Sequence, residues 1–380
     1  MKKTPGRFAV IGILLSLLLL IAAVPKFAAQ DDSTHLRVNV VLVQLDIAVT
    51  DHRGNYVNGL RPEDFVVSED KIPEKISTFE EGNSVVHGLT TAGLGNPSQG
   101  SPNNMSAGQN TVAVDSSSAG AGQAAVAGNS PAAASSSASG ANIFILFDTS
   151  NYMYRGFVFA QDAISDFVRS MDEANKIAFY SYNRDLSRAT LLTGNHFRVV
   201  NGVRSTVAGD DAALYNCLLL TVKDAAQLTG KKAIVVFSNG PDNASSVPPE
   251  DVAELAQSTG TIIYIVSTRL AQEEPVSAAA FERMSKATGG KAYFAGNWRK
   301  EKDAFASIRD DLGHLYSISY YPQPNPNRGW RTISVKLASK DMQKYHIRTR
   351  DGYRLMQQAA FTNPHYLEAG EPLEQQHQPQ

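Results

Sequence analysis

Between Ile143 and Leu312 the chain alternates short, unbroken apolar runs with longer segments that are apolar only every third or fourth residue. The runs are Ile143–Phe147 (IFILF), Ile177–Tyr182, Ala233–Phe237 (AIVVF), Thr261–Val266 (TIIYIV) and Lys291–Phe294. A shorter one, Ala189–Leu192, reads as an edge strand. Between them Phe157, Ala160, Ile164, Phe167, Val168 and Met171 recur at helical spacing. Leu214–Leu228, Glu250–Gln257 behind Pro248-Pro249, Ser277–Ala287 before Gly289-Gly290, and Lys302–Leu312 are helical too. A strand apolar on both faces must be covered on both faces, so this alternation predicts a mainly parallel sheet between two helix layers. In such sheets ligands sit outside the carboxyl ends of the strands, which directs attention to Asp148, Ser238-Asn239 and Ser267.

On either side of this part the pattern is purely β. His35–Asp51 alternates, with Leu45, Ile47 and Val49 on one face. Short strands follow around Phe65–Val67 and Ile76–Phe79, with a turn at Lys71-Ile72-Pro73. After the last helix come Leu315–Tyr321, Trp330–Leu337 and Tyr345–Arg350. Three or four strands make a poor domain alone. We therefore expect residues 36–81 and 315–355 to form one β-sandwich-like unit, with 141–314 inserted between them. The insertion is tethered by residues 82–140, a Gly/Ala/Ser-rich stretch whose only charged residue is Asp115. That composition buries too little apolar surface to offset backbone ordering, so a disordered linker is expected, as is a disordered tail over 356–380.

At the N-terminus, Lys2, Lys3 and Arg7 precede the apolar run Phe8–Val24, within a segment 1–29 that reads as a secretory signal or an uncleaved anchor. The chain should work outside the cytoplasm: in the periplasm, at the cell surface or secreted. Any membrane attachment would be through residues 8–24 alone. With 35 Lys and Arg against 37 Asp and Glu there is no basic surplus for nucleic acid. The single cysteine, Cys217, rules out an intramolecular disulfide and any multi-cysteine zinc site, and its place on an apolar helix marks it as core.

From Val40 to Tyr353 the sequence resembles the von Willebrand factor A-related proteins abundant in acidobacteria. The resemblance is carried by VTDHRGNYVNGLRPEDFVVSED, by the strand ending in Asp148-Thr149-Ser150, by the helix start Ala213-Leu214-Tyr215, and by YYP, Trp330 and the closing RDGY. It implies an α/β fold, a Rossmann-like A domain joined here to the small β unit. It also implies a protein-binding module whose site is a divalent metal held by D-x-S-x-S, a Thr and an Asp. Against that pattern Asp148 and Ser150 match, whereas Tyr152 replaces the second Ser, Ala212 the Thr and Asn239 the Asp. Mg²⁺ gives up its water shell reluctantly, so a set of hard oxygens this small makes a degenerate site and no cofactor is expected. Mg²⁺ stays the alternative if Asp210, Asp211 or Asp242 approaches to compensate. A partner protein would then be held by loop side chains around Tyr152, Asp211 and Asp242.

Two other readings stay open. One is a metal-independent scaffold of a cell-envelope assembly. The other is a homodimeric aspartic hydrolase, since Phe147-Asp148-Thr149-Ser150 fits the aspartic-protease signature. That chemistry needs two carboxylates sharing a proton, and the chain has no second such motif. No P-loop, H-E-x-x-H or G-x-S-x-G motif is present, and the chain reads as non-enzymatic. Among the remaining residues, His314 reads as a helix cap or solvent-facing group. Tyr316, Tyr320 and Tyr321 read as a sheet cover, and Trp330 as a contact anchor or packing residue.

Overall fold

The computed structural model describes residues 42–82, 87–88 and 140–355. The signal or anchor at 1–29, nearly all of the 82–140 linker and the 356–380 tail lie outside the described residues. The first strands are β1 (Val43–Thr50), β2 (Phe65–Glu69), β3 (Ile72–Glu74), β4 (Ile76–Glu81) and the two-residue β5 (His87–Gly88). The α/β part follows as β6 (Asn142–Asp148), α1 (Phe157–Ser170), β7 (Lys176–Tyr182), β8 (Leu186–Thr193), α2 (His196–Arg204) and α3 (Leu214–Ala226). It continues with β9 (Lys232–Phe237), α4 (Pro249–Thr259), β10 (Thr261–Ser267), α5 (Pro275–Ala287), β11 (Ala292–Phe294) and α6 (Trp298–Gly313). The chain closes with β12 (Tyr316–Tyr320), β13 (Trp330–Leu337), β14 (His346–Arg348) and β15 (Gly352–Arg354).

The α/β sheet has the order β8-β7-β6-β9-β10-β11, parallel throughout except for the antiparallel edge strand β8. Counted within this part the order is 3-2-1-4-5-6, the Rossmann order. Along β6, Ile143, Ile145 and Phe147 turn to one face and join α1, α2 and α6 through Ile164, Val203 and Phe305. Phe144 and Leu146 turn to the other and join α3, α4 and α5 through Leu218, Val252 and Phe281. Each such side chain removed from water stabilises the fold by about 1.5–3 kcal/mol before entropy is counted.

Two small antiparallel sheets complete the molecule, ordered β14-β1-β12-β4-β5 and β15-β13-β2-β3. In the first, Leu45 lies opposite Ile318, and in the second Val67 lies opposite Val335, so strands from both ends of the chain share each sheet. Their inner faces meet over Leu45, Ile47, Val67, Tyr316, Ile318 and Ile333. This unit lies under the amino ends of the α/β strands. Lys231, just before β9, pairs with Glu80 of β4 at 3.2 Å. Arg350 donates to the carbonyls of Gln257 near the end of α4 and of Gln44 in β1. At the entry to β11, Gly289 has φ +83°, and a Cβ on Gly290 would lie 1.9 Å from the Ile263 carbonyl oxygen. Only glycine lets the chain pass there. The carboxyl ends of the sheet are left uncovered by the β unit.

Several local expectations need correcting. β8 runs over Leu186–Thr193 rather than Ala189–Leu192, because an edge strand with exposed residues shows little apolar alternation. α2 was not expected: its apolar stripe is a few valines, and its start is marked only by Asn195, whose side chain caps the Arg198 amide at 3.1 Å. The turn expected at Lys71–Pro73 falls instead on Asp70 and Lys71, both with positive φ, so that Ile72–Glu74 is strand. His314 caps α6 as expected, its amide donating to the Asp311 carbonyl at 3.1 Å and its ring Nδ1 meeting the Asp310 carbonyl at 2.5 Å. Its ring stacks on Tyr56, with centroids 4.7 Å apart. Tyr316 and Tyr320 are buried as expected of a sheet cover, but Tyr321, just past the end of β12, is exposed.

Candidate functional site

Three neighbouring strands end together: β6 at Asp148, β7 at Tyr182 and β9 at Phe237. Asp148 is fully buried. Its Oδ1 accepts the Ser150 amide at 2.9 Å, and its Oδ2 accepts the Ser238 hydroxyl at 2.7 Å. Ser238 Oγ in turn accepts the Tyr182 phenol at 3.1 Å and the Gly240 amide at 3.2 Å. Burial pushes the Asp148 carboxyl above its ordinary value of 3.8, against the hydrogen bonds it accepts. It pushes the Tyr182 phenol up as well. Ser150 Oγ is buried and has no hydrogen-bond partner at bonding geometry among the described residues.

Tyr152, Ala212 and Asn239 hold the loops to one another and to the core. Asn239 donates from Nδ2 to the Tyr152 carbonyl at 3.1 Å, and its Oδ1 accepts the Thr268 amide at 3.0 Å and the Thr268 hydroxyl. It thereby ties the loop after β9 to the loops after β6 and β10. The Tyr152 ring packs on the core beneath α3, α4 and α5. Ala212 is buried and held at both ends: its amide donates to Asn243 Oδ1 at 2.8 Å, and its carbonyl accepts the Asn243 and Ala244 amides at 3.1 Å each.

The acidic loop residues are occupied too. Asp211 accepts from Asn243 at 3.3 Å and pairs with Arg184 at 3.6 Å. Asp242 receives the Tyr215 amide at 3.0 Å and the Ser245 amide at 2.8 Å. It caps the first turn of α3 from another loop, a task the local residue Ala213 has no side chain to perform. Asp210 contributes its backbone carbonyl to the Asn151 amide at 2.9 Å. The strand ends thus bring Asp148 together with Ser150 and Ser238, and Tyr152 with Asn239, while Asp211 and Asp242 are engaged by separate partners. Among the described residues no group of three or more His, Cys, Asp or Glu is placed to hold a metal ion.

Tyr182, Asn243 and Thr268 were not singled out by the sequence. Ser238 was, but only as the residue after a buried strand. No short-range signal marks a hydroxyl that meets a carboxylate 90 residues away. Around these strand ends the outgoing segments expose apolar side chains: Tyr154, Val158 and Phe159 after β6, Val207 after α2, and Leu270 and Val276 after β10.

No protein-family model matches this sequence, and no curated protein does. Among solved structures, the chain is similar to the conserved hypothetical protein BatB from Bacteroides thetaiotaomicron, at 15% identity and a TM-score of 0.38, over 46% of this chain and 97% of that one. It is similar to the vWF domain of the type V pili tip protein Mfa5 from Porphyromonas gingivalis, at 11% identity and a TM-score of 0.39, over 50% and 98% of the two chains. A von Willebrand factor type A structure from Catenulispora acidiphila is 12% identical, with a TM-score of 0.38, over 52% and 63%. At such identities the similarity is one of fold alone. By its own strand order, antiparallel edge and two helix layers, the α/β part has a Rossmann-like fold of the von Willebrand factor A type.

Proposed function

We propose that this chain is an exported, non-enzymatic protein-binding module of the acidobacterial von Willebrand factor A-related kind, engaging another protein at the carboxyl ends of its α/β sheet without a metal ion. The observation that carries the reading is the set of exposed apolar residues around those ends. Tyr154, Val158 and Phe159 follow β6, and Leu270 and Val276 follow β10. Val207 lies two residues before Gly209, whose amide donates to the Thr149 carbonyl at 2.7 Å. All six face water. Grouped exposed apolar side chains with a polar surround are what protein interfaces bury. If a photo-crosslinking side chain is placed at Phe159 in producing cells, an envelope-protein adduct should form and should persist in chelator. The same group at Lys336, exposed on the β unit, should give none. An adduct from 336 alone, or one lost on chelation, would count against this reading.

The donor set supports independence from metal. Both Asp148 oxygens already accept hydrogen bonds from the protein, Asn239 Oδ1 is turned to Thr268, and Ala212 has no side-chain oxygen. Ser150 Oγ, buried beside Asp148, has no hydrogen-bond partner at bonding geometry among the described residues. Mg²⁺ demands near-octahedral oxygen ligation at about 2.0–2.1 Å, which these residues do not fit. Calorimetric titration with Mg²⁺ and Mn²⁺ should therefore give no saturable binding below the millimolar range. Saturable binding that disappears in Asp148→Ala would overturn the claim and restore a metal-dependent site.

A further inference from the structure

Between α4 and α5, on one face of the α/β part, lies a cleft of about 250 Å³. Its lining is mostly small and apolar: Ala253 from α4, and Ala280, Met284 and Ala287 from α5. Trp330, at the start of β13, closes one end. The indole is seated against Gly352, where a Cβ would lie 2.6 Å from its Cζ2, so glycine at that position makes room for the ring. The cleft therefore has an aromatic end wall supplied by the β unit and alanine floors supplied by two helices. It is smaller than the roughly 300–1,000 Å³ typical of sites for drug-sized molecules, which limits its occupant to a small ligand.

The charged groups at its walls have both signs. Glu250 of α4 and Arg283 of α5 face each other at 3.5 Å, with side chains 66% and 64% exposed. A pair so long and so open to water contributes little to stability and is readily exchanged for other partners. The second acid on α4, Glu254, is held more closely by Arg354 of β15. What remains is one exchangeable carboxylate and one exchangeable guanidinium on opposite walls of an apolar cleft. A purely cationic or purely anionic occupant would satisfy one wall and oppose the other.

We propose that this cleft binds a free α-amino acid with an apolar side chain. The ammonium would meet Glu250, the carboxylate would meet Arg283, and the side chain would lie against Ala253, Ala280, Met284 and Trp330. Guanidinium suits a carboxylate because its donors form a planar fork. This inference does not rest on the strand-end reading, and either can fail alone.

The sequence holds two tryptophans, so full-length protein labelled with 5-fluorotryptophan gives two fluorine resonances, and Trp330→Phe assigns the one in the cleft. Titration with L-leucine should move the Trp330 resonance saturably, with a dissociation constant on the order of 1 mM for so small a ligand. N-acetyl-leucine amide has the same side chain and no charge, and should bind about tenfold more weakly or not at all. Glu250→Gln and Arg283→Gln, both at exposed positions that do not threaten folding, should each weaken leucine about five- to tenfold. They should leave the weak response to N-acetyl-leucine amide unchanged. Three outcomes would overturn the proposal: no movement of the Trp330 resonance at tens of millimolar leucine, equal binding of N-acetyl-leucine amide, or leucine binding indifferent to both substitutions.

Discussion

Replacing Arg348 by alanine should destabilise the protein by about 3–5 kcal/mol, because it strands a buried carboxylate. Asp311, in the last turns of α6, is fully buried. It accepts the phenols of Tyr56 at 2.6 Å and Tyr264 at 2.5 Å, and the Arg348 guanidinium spans both its oxygens. Lys291 is farther away, at 3.6 Å, and partly exposed. These partners come from both parts of the molecule: Tyr264 and Lys291 from the α/β part, Tyr56 and Arg348 from the β unit. Burial alone would raise the Asp311 carboxyl, but Arg348, Lys291 and the two hydroxyls overcome it and hold the group below 3.8.

A carboxyl depressed in the folded state favours folding above its unfolded value, and that contribution disappears as pH falls through the folded value. The wild-type protein should keep this contribution above pH 3.8 and lose it as pH falls below that towards the lowered folded value. Arg348→Ala should lack much of it already at neutral pH. Urea unfolding should show a lower midpoint with an unchanged slope. Pairing Arg348→Met with Asp311→Asn should recover part of the loss, since no unpaired charge then remains. An unchanged midpoint in Arg348→Ala would show that the ion pair is not a structural link.

Glu69→Ala should cost a similar amount, about 3–5 kcal/mol, but within the β unit. Glu69 ends β2, fully buried between the two small sheets. Its Oε1 accepts from Arg331 Nη1 at 2.7 Å, and its Oε2 accepts the phenols of Tyr320 at 3.1 Å and Tyr353 at 2.9 Å. The alanine variant leaves a buried guanidinium without its carboxylate and two phenols without their acceptor. Glu69→Gln keeps the volume and one acceptor and should lose less. Hydrogen exchange separates this from a global effect: amides of β1, β2, β12 and β13 should lose protection before those of β6 and β9. Loss of protection spread evenly over both parts would contradict a local role.

These two carboxylates explain much of what sequence patterning leaves unsaid. Glu69 and Asp311 look like any acidic residue near the end of a strand or helix. Their partners lie 284 residues away in the case of Tyr353 and 255 in the case of Tyr56. No periodicity connects positions so far apart. The helices α1, α3, α4 and α5 were legible because each buries a wide apolar stripe. α2 and β8 were not, since an edge position exposes half of their side chains and dilutes the pattern. At the candidate site the position of Asp148 at a strand end was legible, because a fully apolar strand must stop where the chain meets water. The use of its two oxygens was not, since Ser238 and Tyr182 reach it only after three strands are aligned.

The alternation of apolar runs and amphipathic segments by itself determined that a parallel sheet lies between two helix layers, because a strand apolar on both faces is stable only when both are covered. Only the tertiary structure decided which strands of the two chain ends pair, and that their unit sits beneath the amino ends of the sheet. It alone turned Asn239 to Thr268, set Asp242 over the first turn of α3, and placed Trp330 at the end of the cleft between α4 and α5. The physical reason is one of range. Backbone periodicity and burial act within a dozen residues and are written locally. Hydrogen bonds and ion pairs act over a few ångströms in space, between residues that the sequence separates by scores or hundreds.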